Sequence, residues 1–414
     1  MYGKHKYVDT VSKLEENKKG LNLTAFVATA SSLFLWGIIL FLASSVYGWV
    51  NSGPYGYGYK LVAASGLFMG NVVMGRFSDR YGRKRIFILT VFLSAVGLYG
   101  AIASFNFYEL FISVFIANFA LGGDETVILA YVGESVSFAR RSQYIVFITN
   151  MANFGVFVTA FVELFYGLDI QASKIFIFSI TTIVLAIVLV SRWLSVESPM
   201  WTEMSGRSDE YSADATEELW NYSGRKIKRL AIFEQISTST TIVTGFFLLN
   251  IYFGSVYANQ PFYFAVLTTF AGTVSGFALS LYVKKIPHRI LPVISFPLMA
   301  ALLIFLAVIS GFDTLPLNIL IWILIARAFL SEIGWGSREV LQVELNHTMK
   351  RGTGIGNVRA FAYGILIIIY ILTTFVNNSM EFYFMLLAAV EIFGAIGAIS
   401  WYLWGVETGT KAIL

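Results

Sequence analysis

The chain of 414 residues contains no cysteine, three histidines, and only 13% charged residues. Without cysteine there are no disulfides, thiolate metal sites or thiol nucleophiles. The histidines, His5, His288 and His347, fall in expected loops or tails and give no metal cluster, so no metal or other cofactor is expected. A Gly-x-x-x-x-Gly-Lys-Ser/Thr loop is also missing, which removes an ATPase, and no nucleophile–base pair on an aqueous face points to an enzyme. What the chain has in quantity is apolar surface. Hydrophobic residues make up 57% of it and the mean hydropathy is +0.70, too apolar for a soluble domain and suited to a polytopic helical membrane protein. The net charge of +4 does not imply a nucleic-acid partner, because the basic residues flank apolar runs rather than forming a free basic domain.

Twelve runs are long enough to cross a hydrocarbon core, at 23–50, 58–77, 86–105, 108–133, 143–166, 174–196, 231–258, 261–283, 290–311, 316–342, 354–376 and 380–404. The loops between them are short, as at Asn259-Gln260 and Asn377-Asn378, and force consecutive helices to run antiparallel. Residues 197–230 are the one long polar connection. The expected organisation is a cytoplasmic tail (1–22), a six-helix bundle (23–196), a cytoplasmic linker (197–230), a second six-helix bundle (231–404) and a cytoplasmic tail (405–414). Residues 1–22 mix Lys with Asp and Glu and read as a tail, not a cleavable signal. Basic residues gather in the same alternate loops, while the others keep only Lys60 and Lys174, so both termini are expected on the cytoplasmic side.

Between the second and third runs, the stretch Gly75-Arg76-Phe77-Ser78-Asp79-Arg80-Tyr81-Gly82-Arg83-Lys84-Arg85 has six charged residues in eleven. Gly75 lets a helix end approach a neighbour, Gly82 permits a turn that a Cβ resists, and Asp79 can cap a helix or pair with a nearby Arg. An ordinary positive-inside loop would need the charge but not this spacing. The halves also repeat at an offset of 210 residues: Glu134 is followed by Arg140 and Arg141, and Glu344 by Lys350 and Arg351. Such parallel repeats occur in transporters built from two like bundles.

Gly75, Asp79, Arg80, Gly82 and Arg83 resemble, at every fixed position, the loop between helices 2 and 3 of the major facilitator superfamily of secondary transporters. Leu121-Gly122-Gly123-Asp124 with Tyr131, Glu134 and Arg141 is similar to the helix 4 pattern of its sugar porters, metabolite–proton symporters and organic-ion transporters. Glu197-Ser198-Pro199-Met200-Trp201 resembles that branch's Glu-Ser-Pro-Arg-Trp, with Met200 in place of Arg. Glu344 to Gly354 resembles its Glu-Leu-x-Pro-Thr-x-x-Arg-x-Thr-Gly, without the Pro. One departure matters: the first run has no acid, so a coupling acid must lie elsewhere.

The resemblance implies an all-α polytopic membrane protein, twelve transmembrane helices in two pseudo-symmetric six-helix bundles. It also implies alternating-access transport of a small polar organic solute, a sugar or organic acid or ion, at the plasma membrane. Proton symport is the preferred coupling, with an uncoupled facilitator or a non-transporting sensor as alternatives; the expected partners are the solute, protons and the lipid bilayer, and the expected state is a monomer. A charge at the bilayer centre costs about 2.5–3.5 kcal/mol, so each intramembrane acid calls for a reason. Asp124 and Glu125 are the proton-coupling candidates. Adjacent helical residues point about 100° apart, so one faces the cavity and the other a neighbouring helix; a static ion pair is the competing reading. Glu134, Arg140, Arg141, Glu197, Glu344, Lys350 and Arg351 join the signature loop as expected members of a cytoplasmic gate, against a reading as solvated loop charges. Substrate candidates on the helices that line the cavity in the resembling family are Trp36, Asn150, Asn153, Asn250, Tyr252, Tyr257, Arg327, Glu332, Trp335 and Tyr363. Arg327 would suit a carboxylate and Glu332 an amine or hydroxyls; aromatic residues also serve as belt anchors. Glu391 is left without a role.

Overall fold

In the computed structural model, residues 21–50, 58–166, 169–205, 214–256, 261–310, 317–373 and 380–409 are described. Among them lie twelve helices long and apolar enough to cross a membrane. They are α1 (Leu23–Ser45), α2 (Gly58–Tyr81), α3 (Arg83–Ala103), α4 (Phe107–Ser135), α5 (Phe138–Tyr166), α6 (Ile170–Leu194), α7 (Asp214–Val256), α8 (Pro261–Tyr282), α9 (Leu291–Ser310), α10 (Leu317–Leu345), α11 (Arg351–Thr373) and α12 (Met380–Trp404). Side-chain oxygens of Asn22, Asn106 and Asp169 start α1, α4 and α6 by accepting from the first turn's N–H groups.

One boundary differs from the sequence expectation. The polar segment before the seventh run is not all linker: a short helix (Pro199–Ser205) follows α6, and α7 begins at Asp214, well before its apolar part. No proline lies between 214 and 256, so nothing in the backbone stops the helix from propagating outward into polar sequence. Tyr257 and the loops at Asn259-Gln260 and Asn377-Asn378 lie outside the described residues, as do the side chains of Asn250 and Tyr252.

Packing repeats between the halves. In the first, α4 packs on α2 and α3, and α1 on α5 and α6; in the second, α10 packs on α8 and α9, and α7 on α11 and α12. The halves meet mainly along α2 with α11 and α5 with α8, two contacts that exchange under the same pseudo-symmetry. Small residues make the first possible: a Cβ on Gly75 would stand 2.5 Å from the Gly352 carbonyl oxygen. α1, α4 and α7 are mostly buried, whereas α6 and α9 turn large apolar side chains outward, among them Ile175, Phe178, Ile183, Trp193, Leu298, Phe305 and Val308. Outward apolar side chains with all helical backbone groups satisfied internally are what a lipid surrounding requires.

Candidate functional site

Asp124 and Glu125 stand together two-thirds of the way along α4, and their side chains part company. Asp124 turns into its own half, where Arg192 of α6 binds it at 2.7 Å, Ser32 of α1 donates at 2.6 Å and Thr90 of α3 at 2.7 Å. Arg192 also donates to Ser32 and to the Phe87 carbonyl. Four helices of the first half are thereby tied by one buried carboxylate.

Glu125 instead faces the second half and forms an ion pair with Arg359 of α11. Arg359 reaches Glu339 of α10 at 2.5 Å and the Gln342 side-chain oxygen at 3.2 Å, and Glu339 is also paired with Arg338, which lies 4.0 Å from Glu125. Two acids and two arginines balance, so the cluster is neutral as a set while spanning the boundary on which the halves would move. Gln342 in turn donates to Ser239 of α7, within a run of buried hydroxyls, Ser237 to Thr241, in a helix otherwise apolar at that depth.

One turn further along the boundary, α10 presents Glu332 and Trp335. Glu332 accepts from Asn153 of α5 through one oxygen; its other oxygen is buried and without a partner, as is the Trp335 ring N–H. Trp335 meets Trp36 of α1 edge to face at 6.0 Å and has Arg338 over its ring at 5.1 Å; Trp36 donates to the Leu121 carbonyl at 3.0 Å. Tyr363 of α11 is buried against Phe247. Trp36, Asn153, Glu332 and Trp335 therefore line the half–half boundary, while the ring contact of Tyr363 lies within the second half. Asn150, on the same face of α5, also reaches across the boundary, donating to the Thr273 carbonyl of α8 at 2.9 Å.

Arg327 does not offer a free charge to a carboxylate. Glu391 of α12 accepts from its Nε at 2.9 Å and also pairs with its Nη2, inside the second half. The residue that had no reading in the sequence thus neutralises a substrate candidate.

At the end of the bundle carrying the signature loop, which we call the basic end, Gly82 adopts a positive φ of 99° and allows α2 and α3 to follow each other directly. Asp79 has three partners: Arg83 at 2.5 Å, and the backbone N–H groups of Gly352 and Thr353 at 3.0 and 2.7 Å, at the start of α11 across the boundary. Glu134 takes Arg83 at 2.8 Å, the Ser198 hydroxyl at 2.7 Å and Arg351 at 3.6 Å. Glu197 accepts from the backbone N–H groups of Arg83 and Lys84, capping α3.

The partners of the repeated acids are not those their sequence neighbours suggested. Arg140, Arg141 and Lys350 follow the ends of α4 and α10, where the chain has already turned to start another element, while Glu344 looks back into its own bundle and Glu134 meets Arg83 of its own half and Arg351 of the other. Arg140 and Lys350 are exposed, Arg80 is exposed over the Tyr81 ring, and Arg141 lies on Phe138 and donates to the Val136 carbonyl. Glu344 is bound by His288 at 3.0 Å and Thr408 at 2.5 Å, not by Lys350 or Arg351.

Sequence reading passed over Arg192, which stands near the end of its run and so looks like a flanking basic residue, and Ser32 and Thr90, whose hydroxyls carry no signal alone. His288 and Glu407 escaped because their partner is far away in the chain.

A sequence profile of the Major Facilitator Superfamily matches residues 21–337. A D-xylose transporter of Levilactobacillus brevis is 25% identical over 175 residues, 42% of this chain and 37% of that protein. Solute carrier family 22 member 16 of Bos taurus is 26% identical over 147 residues, 35% of this chain and 24% of that one, so the chain spans about a third and a quarter of these curated relatives. Among solved structures, the proton:xylose symporter XylE bound to 6-bromo-6-deoxy-D-glucose superposes with a TM-score of 0.73 at 15% identity, covering 94% of this chain and 97% of that one. A partially occluded inward-open form of XylE from E. coli gives 0.68 at 14%, covering 93% and 99%. At such identity these likenesses concern the fold. With the profile across most of its length and twelve spanning helices in two like halves, the chain belongs to the Major Facilitator Superfamily, a multi-pass membrane protein of a transporter family and not an enzyme.

Proposed function

We propose that this protein is a secondary transporter of a neutral polyhydroxylated solute, sugar-like in chemistry, driven by proton symport through alternating access. The observation that carries the solute class is the pair on α10: Glu332 has a buried acceptor oxygen and Trp335 a buried ring donor without partners, one turn apart on the boundary. A hydroxyl can satisfy either, being donor and acceptor in one group, and the Trp335 face suits the apolar side of a sugar ring. The arginines nearby are already matched, Arg327 by Glu391 and Arg338 by Glu339, so a carboxylate has no cation waiting for it there. Xylose transport in the names of a relative and of structural neighbours supports the same direction.

Glu125 is the group we assign to the coupling proton, and Asp124 a structural role. Arg359 lies on the opposite half, so rocking of the halves would separate it from Glu125 and change that carboxyl's affinity for a proton. One charge moved through the membrane potential supplies about 2.3 kcal/mol per 100 mV. In this reading the basic end and both termini face the cytoplasm of a plasma membrane, and Asp79, Arg83, Glu134, Glu197 and Arg351 hold that end shut when the cavity opens outward. The functional unit is a monomer of two bundles joined by the segment after α6.

The test uses purified protein in liposomes with an internal pH dye and a panel of sugars, organic acids and organic cations. Proton movement with neutral sugars alone is the expected result. Entry of sugar with neither proton movement nor dependence on a gradient would make the protein a facilitator. Responses confined to organic cations would overturn the solute class.

A further inference from the structure

The lock at the basic end of the first half is built twice. In the first half, Glu197 caps the start of α3 through the backbone N–H of Arg83, whose side chain binds Glu134, and Ser198 donates to that same Glu134. In the second half, Glu407 accepts from the backbone N–H groups of His288 and Arg289 at the start of α9, at 2.8 and 3.1 Å. The His288 side chain binds Glu344 at 3.0 Å, and Thr408 donates to the same Glu344. Glu134, Glu197 and Ser198 recur 210 residues later as Glu344, Glu407 and Thr408. The acids are the same and a hydroxyl stands in both, but the cation changes in chemistry: where the first half has an arginine, the second has a histidine.

We propose that His288 is a proton-reading positioning residue: the second half's clasp holds when the imidazole is charged and loosens when it is neutral, so that pH at the basic end sets how readily that end opens. Arginine keeps its charge throughout the physiological range, whereas histidine does not. The first clasp is permanent by its chemistry; the second is conditional.

The charged groups acting on the imidazole come from two packed elements, Glu344 at the end of α10 and Glu407 after α12. On its own turn, Lys284 and Lys285 are exposed, Lys285 near the Tyr282 ring, and Arg289 is engaged with the Gly405 carbonyl and the Tyr402 ring. α5, which packs against that turn, brings Gln143 to the Ser280 carbonyl and carries Arg140 and Arg141 in its first turn. Burial alone would push the imidazole down, but its hydrogen bond to Glu344 and the charges of Glu344 and Glu407 outweigh burial, and the pKa lies above the ordinary 6.5. A raised histidine pKa means a contribution fully present below 6.5 and lost as pH climbs through the raised value. The clasp therefore weakens on the alkaline side.

Its position gives that weakening a route to the gate. The clasp fixes the end of α10, and the turn that follows, Thr348–Lys350, packs on the short helix Pro199–Ser205 and on the end of α2 in the other half. Losing the clasp frees the surface on which the halves meet.

Two measurements test this on the full chain without a solute, so their failure leaves the proposed solute standing. Imidazole NMR in detergent should find His288 titrating above 6.5, and Glu344→Gln should bring it down. The second uses Ser280→Cys, a buried position at the α5–α8 boundary in a chain that has no other cysteine, labelled with an impermeant maleimide. Labelling in the His288 background, divided by that in His288→Arg at each pH, should rise about three- to tenfold between pH 6 and 8.5, tenfold being one pKa unit's worth of energy. An imidazole titrating at or below 6.5, or a ratio flat across that range, would overturn the proposal.

Discussion

Arg359 of α11 binds Glu125 of α4 across the boundary between the halves, whereas Asp124, one residue earlier, is bound by Arg192 within its own half. Two neighbouring acids in one helix therefore answer to different movements. A relative rotation of the halves strains the first pair and leaves the second intact.

Replacing each acid by its amide separates the two. Glu125→Gln should abolish uphill accumulation in proteoliposomes while leaving solute exchange, because Arg359 keeps Glu339 as partner. Asp124→Asn strips the buried Arg192 of its counter-ion and should cost about 3–5 kcal/mol, read as a lowered melting midpoint in detergent. Accumulation surviving Glu125→Gln would remove Glu125 from coupling.

Arg327 and Glu391 form a pair inside the second half, and a buried pair can often be exchanged for apolar residues of similar volume without loss. Arg327→Ala alone should destabilise by about 3–5 kcal/mol, whereas Arg327→Met with Glu391→Leu should melt at or above the parent. A double variant that is stable yet unable to transport would return Arg327 to the list of solute-binding residues.

Gly75 has no room for a side chain against Gly352, so Gly75→Val should push α2 off α11. Overpacking of this kind costs about 1–3 kcal/mol. The basic end should then open more often, raising maleimide labelling of Ser280→Cys by at least about fivefold. Unchanged labelling would mean that the two helices part elsewhere.

His347, between α10 and α11, is pushed down to about 4 by burial and then by the positive charges of Arg351 and Lys350. Its folded pKa lies below the unfolded value, so stability is lost as pH falls from 6.5 toward 4. Imidazole NMR should find it neutral at pH 5, and Lys350→Gln should raise its pKa. His288, titrating on the other side of 6.5, serves as an internal reference in a chain with only one further histidine.

The twelve spans, the positive φ at Gly82 and the divergence of Asp124 from Glu125 are all legible in the sequence, because each follows from local geometry: run length, a missing Cβ, a 100° step. Which of the two acids looks across the boundary is not, since that depends on the rotation of α4, set by packing from α2 and α3. Glu391 could not be read because its partner stands 64 residues away. The true partners of Glu134 and Glu344 were hidden for a related reason. Charges adjacent in sequence at a helix end are separated by the turn, and the apposition of α3, α4 and the segment after α6 is a property of three dimensions. The outward extension of α7 to Asp214 is not legible, because hydropathy reports where a helix enters apolar surroundings, not where its hydrogen bonding begins.

The contact from Asp79 to the start of α11 is made to backbone N–H groups, not to a side chain. Every residue except proline carries that group, and the positive end of the helix dipole comes with it. One partner in this handshake is thus written in the genetic message and the other is supplied by the peptide bond itself. Substitutions at 353 that spare the helix leave the grip in place, whereas a Cβ at 352 would stand 2.7 Å from the Gly75 carbonyl oxygen, and the loss of a single carboxylate removes the grip altogether. A repeat whose two copies meet at one joint needs to spell that acid only once, and the later copy, Lys284 to Arg289, does without it.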